Sequence, residues 1–411
     1  MIISEKIFGI ASAAAVIILI TGTEIPLWAT EPTQVSPSRQ EKIQAQIKTL
    51  PYLSGYKPAP QRTGVTFYDE SRVCNGLNLY SSGGSPPVVL MDMGGNVLHE
   101  WNNNLPYPNL KESFFRRVHL FPNGDILAIL EEKGLLKMDK DSNIIWFLRG
   151  QYHHDLEIAE NGDIYILTRR DSKIDQPKIH LNGEIKEDFI TILNPEGKEK
   201  SSISLLKCFL NSDYSSTLRN IQLNKYSGDI FHTNTLELIP SSASKSFPLF
   251  QEGHALISLR NLSTIAVVDL SNQKVTWALS GMWAYQHQPT VLSNGNILLF
   301  DNLGQEGKSK VIEFNPCTQE VVWAYRGNAD NGFRTVDMGF QQRLSNGNTL
   351  ITESRDGRVF EVTPDNMIVW EFFNPQRSGI NNNLIATIFE MTRINPVDLS
   401  FLGKIKPDRK D

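Results

Sequence analysis

Five apolar runs in this sequence end in tryptophan: Val97-Leu98-His99-Glu100-Trp101, Ile144-Ile145-Trp146, Val275-Thr276-Trp277, Val321-Val322-Trp323 and Ile368-Val369-Trp370. Three of the four intervals between these tryptophans fall in the ~40–50 residue range of a propeller blade. A second signature recurs between them: Asn123-Gly124-Asp125, Asn161-Gly162-Asp163, Asn294-Gly295-Asn296 and Asn346-Gly347-Asn348. Asn-Gly between apolar runs is a strong hairpin signal, because both residues tolerate positive φ. Strand-like runs follow these turns, such as residues 125–130 and 296–300. Strand, Asn-Gly turn, strand, turn and Trp-ended strand make a four-stranded blade. Helical periodicity is nearly absent, and radial packing of small sheets protects the strand edges. The fold class read from this pattern is all-β, a β-propeller.

The five Trp-ended strands mark five blades. The gap between Trp146 and Trp277 holds one more, ending near residues 202–205 without a Trp, so six blades result, with insertions in the third and fourth. Seven would require three short blades in that gap. Residues 384–394 have strand character and are expected to pair with the first blade to close the ring. A closed ring is one domain, placed here at 63–396, although 411 residues would otherwise suggest two or three.

At 40% hydrophobic, 21% charged and a net charge of −5, the chain has ample material for a core, and no basic stripe suits a nucleic-acid backbone. Lys6 precedes a charge-free run over residues 7–22, short for a spanning helix and long enough for the apolar region of a signal peptide. Leu27-Trp28-Ala29 is a poor cleavage site because Leu27 is bulky. Residues 1–29 therefore read as a cleaved signal or as an uncleaved membrane anchor; both place the rest outside the cytoplasm. Residues 30–62, rich in Pro, Gln and Ser, read as a linker, and 397–411 as a polar tail. Cys74, Cys208 and Cys317 are far apart and form no metal-type cluster, so they read as buried structural thiols.

Overlaying the blades isolates a shared position. His154 stands seven residues before Asn161, and His287 seven before Asn294. His232 opens the run His232-Thr233-Asn234-Thr235-Leu236-Glu237-Leu238 at the equivalent place in the fourth blade, whose turn has swollen into residues 239–253. The second blade has Arg116 here and the sixth Gly339, so histidine is not part of the repeat's packing logic. Inner strands line a propeller's channel, and the three imidazoles should converge near one mouth. His153 shares this position with His154, since strand phase decides which faces inward. A second column holds Arg169, Arg260, Asn302 and Ser354, four residues after Tyr165, Leu256, Leu298 and Leu350. A buried guanidinium such as Arg260 needs a carboxylate or a bound anion. Three histidines also suit zinc, but no close pair on one element supports a metal here. His99, His119, His180 and His254 lack the register and read as structural or solvated.

These residues carry a resemblance. The stretch over residues 232–281 resembles the arylsulfotransferase family in His232 and Asn234, in Leu256-Ile257-Ser258-Leu259-Arg260-Asn261, and in Lys274-Val275-Thr276-Trp277. Gly76-Leu77-Asn78-Leu79-Tyr80 and Asp92-Met93-Gly94-Gly95-Asn96 are similar to that family's first blade. The resemblance implies a six-bladed periplasmic enzyme that moves a sulfuryl group between phenols, with no nucleotide sulfate donor and no cofactor. It implies His287 as a transiently sulfated nucleophile, assisted by His154, His232 and Arg260. Phenolic sulfates and phenols are then the partners. Asn234, Arg169, Tyr152 and Tyr285, with Trp283, stand near enough in sequence to be expected at the substrate. Two other classes compete. One is a non-catalytic propeller that binds a ligand or partner in the cell envelope. The other is a quinone-dependent dehydrogenase, which would need more blades and a carboxylate metal cluster.

Overall fold

The computed structural model describes residues 56–403 apart from 111–112, 178–180, 247–249, 305–306 and 328–332. The expected signal or anchor, most of the expected linker, the last residues of the expected tail and His180 lie outside the described residues. Among the described residues no helix is long and apolar enough to cross a membrane.

Six sheets form the blades, as expected from the repeat. Blade two is typical. Its strands Phe115–Leu120, Ile126–Leu130, Gly134–Met138 and Ile144–Arg149 pair in chain order from the channel outward. The second strand is buried throughout, as a sheet covered on both faces requires. Blades three to six repeat the plan with inner strands Tyr152–Ile158, Thr233–Leu238, His287–Val291 and Phe340–Arg343.

Both ends of the described chain latch the ring. Ile388–Ile394 is the inner strand of blade one, antiparallel to Leu77–Ser82, which realises the closure expected from residues 384–394. Gly64–Tyr68 adds a fifth strand to the outer edge of blade six. The folded body extends past its expected boundaries. Tyr56–Pro58, within the expected linker, pairs with Leu384–Ala386. Phe401, within the expected tail, packs against Trp101 at 6.1 Å between ring centroids. The insertions fall where expected. Blade three carries a long hairpin, Ile164–Gln176 with Leu181–Leu193, and an excursion with a short helix at Leu205–Leu210 leads to blade four.

The two repeated signatures have separate physical causes. In the Asn-Gly turns only the glycine is left-handed, as at Gly124 (φ 88°) and Gly347 (φ 90°). The loops are therefore not the two-residue hairpins expected, which need positive φ at both residues. The asparagine instead caps the turn with its side chain: Asn123 Oδ1 accepts from the Asp125 amide at 3.1 Å and Asn346 Oδ1 from that of Asn348 at 3.1 Å. Three of the tryptophans staple their blade to the next. Trp101 Nε1 donates to Gly124 O, Trp323 Nε1 to Pro364 O and Trp370 Nε1 to Met93 O, at 3.0, 2.9 and 2.9 Å. Each acceptor lies in a turn of the following blade. Of the cysteines only Cys208 is buried; Cys74 is half-buried and Cys317 exposed, which corrects the expectation of three buried thiols.

Candidate active site

Pairing between the inner and second strands slips near one end of the inner strand in five blades. The slips fall at Ile388/Glu390, Phe115/Arg117, Tyr152/Leu156, Thr233/Thr235 and His287/Thr290. Each slip leaves extra residues on the inner strand. Such a bulge bends the strand and re-aims its side chains. Phe389, Arg116 and His154 are bulge residues, and all three line a cavity of about 530 Å³ at one mouth of the channel. His232, His287 and Arg260 line it too, so the structure brings together the four residues expected to act. His154 and His232 hold left-handed backbone at φ 54° and 49°, outside ordinary strand geometry.

His287 is held most completely. Asn302 Nδ2 donates to Thr335 O (3.1 Å) and Met338 O (2.6 Å), which fixes the amide so that Oδ1 faces the imidazole. His287 Nδ1 lies 2.7 Å from that oxygen and 3.0 Å from Tyr285 O. Both are acceptors, so Nδ1 carries the proton and Nε2 the lone pair. Burial, with Arg116, Arg260 and His232 adding to it against the Asn302 hydrogen bond, pushes the imidazole pKa down to about 3. His287 is thus a neutral imidazole with an available Nε2.

The other two histidines differ from it and from each other. Asp229 Oδ2 accepts from His232 Nδ1 at 2.6 Å, and Asp229 Oδ1 accepts from the His232 amide at 2.9 Å. Burial pushes the Asp229 carboxyl up, but the hydrogen bond from His232 and the charges of His232 and Arg169 hold it below the ordinary value. His154 Nδ1 stands 3.0 Å from His153 Nδ1 and 3.2 Å from Glu131 Oε1. Burial and the neighbouring His232, His153, Arg116 and Arg169 hold His154 well below its usual pKa. The His154 and His232 rings meet edge to face at 4.7 Å.

The cavity is cationic. Arg260 lies 4.4 Å over the Tyr285 ring and donates to Asn261 Oδ1 at 3.1 Å, and among the described residues no carboxylate pairs with it. Arg116 has Glu131 at 3.9 Å and sits over the Phe389 ring. Both guanidiniums keep donors for an anion. Arg355 instead binds Asp337 through Nε and Nη2, at 3.0 Å each.

The five residues expected at the substrate are placed otherwise. Arg169 lines the cavity but spends its guanidinium on Asp188 (2.8 Å), Glu132 (3.2 Å) and Asp229 (3.2 Å). It positions the Asp229 that holds His232. Asn234 is buried and donates to Gln286 O, tying blade four to blade five. Tyr152 packs into the apolar cluster between blades two and three, and Trp283 into that between blades four and five. Tyr285 supports Arg260 from beneath and meets Tyr226 at 3.2 Å through their hydroxyls. The aromatic rings that do line the cavity are Phe114 and Phe389, 5.7 Å apart. Neither was expected. Phe389 belongs to the ring-closing strand, outside the repeat that was overlaid. Arg116 was visible as the residue replacing histidine at the shared position, and its charge was the missed signal. Asn302 was visible in the second column, with no hint that it faces His287.

Fold and site together define a class: a six-bladed propeller whose channel mouth is a cavity lined by histidines and arginines around a neutral, oriented imidazole. The arylsulfotransferase (ASST) family profile matches residues 117–375, well over half of the chain. The chain belongs to the arylsulfotransferase family. No curated protein matches it in sequence. Among solved structures it is similar in fold to a Bacteroides caccae protein of unknown function, at 13% identity and TM-score 0.51 over 78% of this chain and 99% of that one. A streptogramin B lyase matches at 15% identity and TM-score 0.43 over 79% and 86%. The WD40 propeller domain of Doa1 matches at 12% and 0.43 over 84% and 100%.

Proposed function

We propose that this protein transfers a sulfuryl group from an aryl sulfate to a phenol through a sulfohistidine at His287 Nε2. The observation that carries this reading is the locked tautomer. With Nδ1–H committed to Asn302 and Tyr285, Nε2 is the nucleophile, and burial keeps it unprotonated across neutral pH.

Nε2 attacks sulfur while the bond from sulfur to the aryl oxygen breaks. As in phosphoryl transfer, charge in the loose transition state sits on the peripheral oxygens. Arg260 and Arg116 supply donors for those oxygens. The departing phenolate takes a proton from His232, whose cationic form Asp229 supports at 2.6 Å. His154 lies against the His232 ring and relays the proton between it and solvent. The sulfated ring keeps its Nδ1 proton, because Asn302 and Tyr285 O are hydrogen-bond acceptors that cannot remove it. It stays imidazolium-like, so its bond to sulfur is weak. An incoming phenol then gives its proton back to His232, its oxygen attacks sulfur, and neutral His287 is released. Phe114 and Phe389 offer ring faces to the aryl groups.

The test is transfer from a chromogenic phenyl sulfate to a phenol, with acid-labile sulfate on the protein followed in parallel. His287→Ala should abolish both; full transfer by this variant would overturn the reading. We also propose that the body acts outside the cytoplasm, delivered by the apolar run over residues 7–22. Fractionation of cells carrying the full chain checks this, and retention in the cytosol would refute it.

A further inference from the structure

Beside the cavity, His154 also belongs to a cluster whose other two members, Glu131 and His153, the transfer chemistry does not use. Glu131, His153 and His154 each offer a donor atom, and the three atoms lie within 4.8 Å of one another. His153 Nδ1 and His154 Nδ1 are 3.0 Å apart, and His154 Nδ1 is 3.2 Å from Glu131 Oε1. Ligands about 2.0–2.1 Å from a tetrahedral ion are separated by about 3.3 Å. The two distances are therefore close to, and slightly shorter than, the edges of such a tetrahedron.

Without a ligand, one buried nitrogen of this cluster, His153 Nε2, has no hydrogen-bond partner among the described residues. If His153 keeps its proton on Nδ1, that proton faces His154, and Nε2 is left bare. Nε2 is fully buried without a hydrogen-bond partner, and Asp188 Oδ1 stands 3.5 Å from it, a lone pair against a carboxylate. If the proton sits on Nε2, it lies on the Asp188 side, and Nδ1 then accepts from His154 Nδ1 at 3.0 Å, which draws that proton away from Glu131 Oε1 at 3.2 Å. His154 in turn has one proton to share between His153 and Glu131. A cation on the two Nδ1 atoms resolves both conflicts. It forces the His153 proton onto Nε2, toward Asp188, which is the carboxylate–histidine–metal arrangement of ligated histidines. Asp188 is itself held by Arg169 Nε at 2.8 Å and by the Thr233 amide at 2.9 Å. Glu131 accepts the His154 amide at 3.2 Å through its other oxygen and has Arg116 at 3.9 Å.

We infer that Glu131, His153 and His154 form a binding site for one divalent cation of the zinc type, with its fourth position open to the anion cavity. Glu131 and His154 line that cavity, which gives the ion its entry path. Two imidazoles and one carboxylate suit zinc and its first-row neighbours better than calcium or magnesium. Occupancy removes His154 from proton relay and places a positive charge beside His232. The bound ion therefore inhibits transfer, and the site is distinct from a set made of His154, His232 and His287.

The experiment is titration of the full, metal-stripped chain with Zn²⁺ against a chromophoric chelator, with Co²⁺ absorption as a second probe of tetrahedral geometry. One ion per chain is expected. His153→Ala and Glu131→Gln should each weaken binding about 10–100-fold, while His287→Ala binds as the parent does. No binding, or binding indifferent to both substitutions, overturns the site. Loss of binding in His287→Ala overturns it equally, because the three-histidine set would then be the ligand. If His153→Ala fails to fold, as circular dichroism would reveal, Glu131→Gln decides alone. Tight binding with unchanged transfer would leave the site standing and refute the relay role of His154, so the two readings fail separately.

Discussion

Replacing Asn302 by Asp puts a carboxylate where the His287 Nδ1 proton already points, at 2.7 Å. The side chains are nearly isosteric, but aspartate also loses the hydrogen bonds from Nδ2 to Thr335 O and Met338 O, so the variant's melting temperature is measured beside its activity. In the parent protein burial pushes the imidazole down to about 3. An adjacent opposite charge raises such a group by roughly 1–3 units, which moves it to about 4–6 in Asn302→Asp. At the upper end, only about one ring in ten is neutral at pH 5, against nearly all in the parent, and transfer at pH 5 should fall about tenfold relative to pH 8. The carboxylate can also take the Nδ1 proton once the ring is sulfated. The ring is then a poorer leaving group, and the sulfated protein should accumulate. The assay is the pH profile of single-turnover transfer beside a ¹⁵N NMR titration of labelled histidine. A parent ring titrating near 6.5, or a variant whose acidic limb coincides with the parent's, would refute the argument that burial and a fixed tautomer make the nucleophile.

Three further outcomes follow from the same geometry. Arg260→Met removes the cavity guanidinium that has no carboxylate partner among the described residues. It should raise the KM for aryl sulfate about 10–100-fold, the worth of one or two charge-assisted hydrogen bonds, with Arg260→Lys between. Asp229→Asn leaves His232 without its 2.6 Å carboxylate and should lower kcat about 10²-fold with KM little changed, in steady-state kinetics. Glu157 lines a second cavity along the channel, where burial raises its carboxyl from 4.5 to about 7 despite Arg117. A raised carboxyl gives stability that is full below its unfolded pKa and is lost as pH rises through the folded value. Glu157→Gln should therefore melt like the parent at pH 4 and a few degrees higher at pH 8, by calorimetry.

The ring was legible because its signals are local. An Asn-Gly turn needs only a glycine at positive φ and an asparagine oxygen within two residues. A Trp-ended strand needs only one indole to reach the next blade's turn. Such constraints recur at fixed spacing and survive without knowledge of the tertiary structure. Blade three lost its Trp and was still countable, because its outer strand Glu199–Ser204 falls where the spacing required. The end segments were harder. Nothing in Tyr56–Pro58 or Phe401 announces a partner three hundred residues or more away along the chain. Their placement is set by the closed ring and not by their own sequence.

The site was legible to the extent that a column of a repeat can be, and the bulges mark where that stops. Adjacent residues of a strand face opposite ways, so the pairs Arg116/Arg117 and His153/His154 each split between two environments. Arg116 turns to the anion cavity, while Arg117 turns inward to ion pairs with Asp155 (2.7 Å) and Glu390. His154 reaches the cavity and His153 is fully buried. Which member of a pair faces which way depends on an extra residue in the pairing, and that is a relation between two strands. The overlay, read along one strand, can find the position but not its phase. The same relation explains why Asn302 and Phe389 were missed. One acts across the sheet on a histidine of the neighbouring strand, and the other arrives from the far end of the chain. The chemistry sits where the repeat is interrupted because a regular pleat would bury these side chains between blades. Extra residues on the inner strand re-aim Phe389, Arg116 and His154 toward the channel, and five blades carry such a slip.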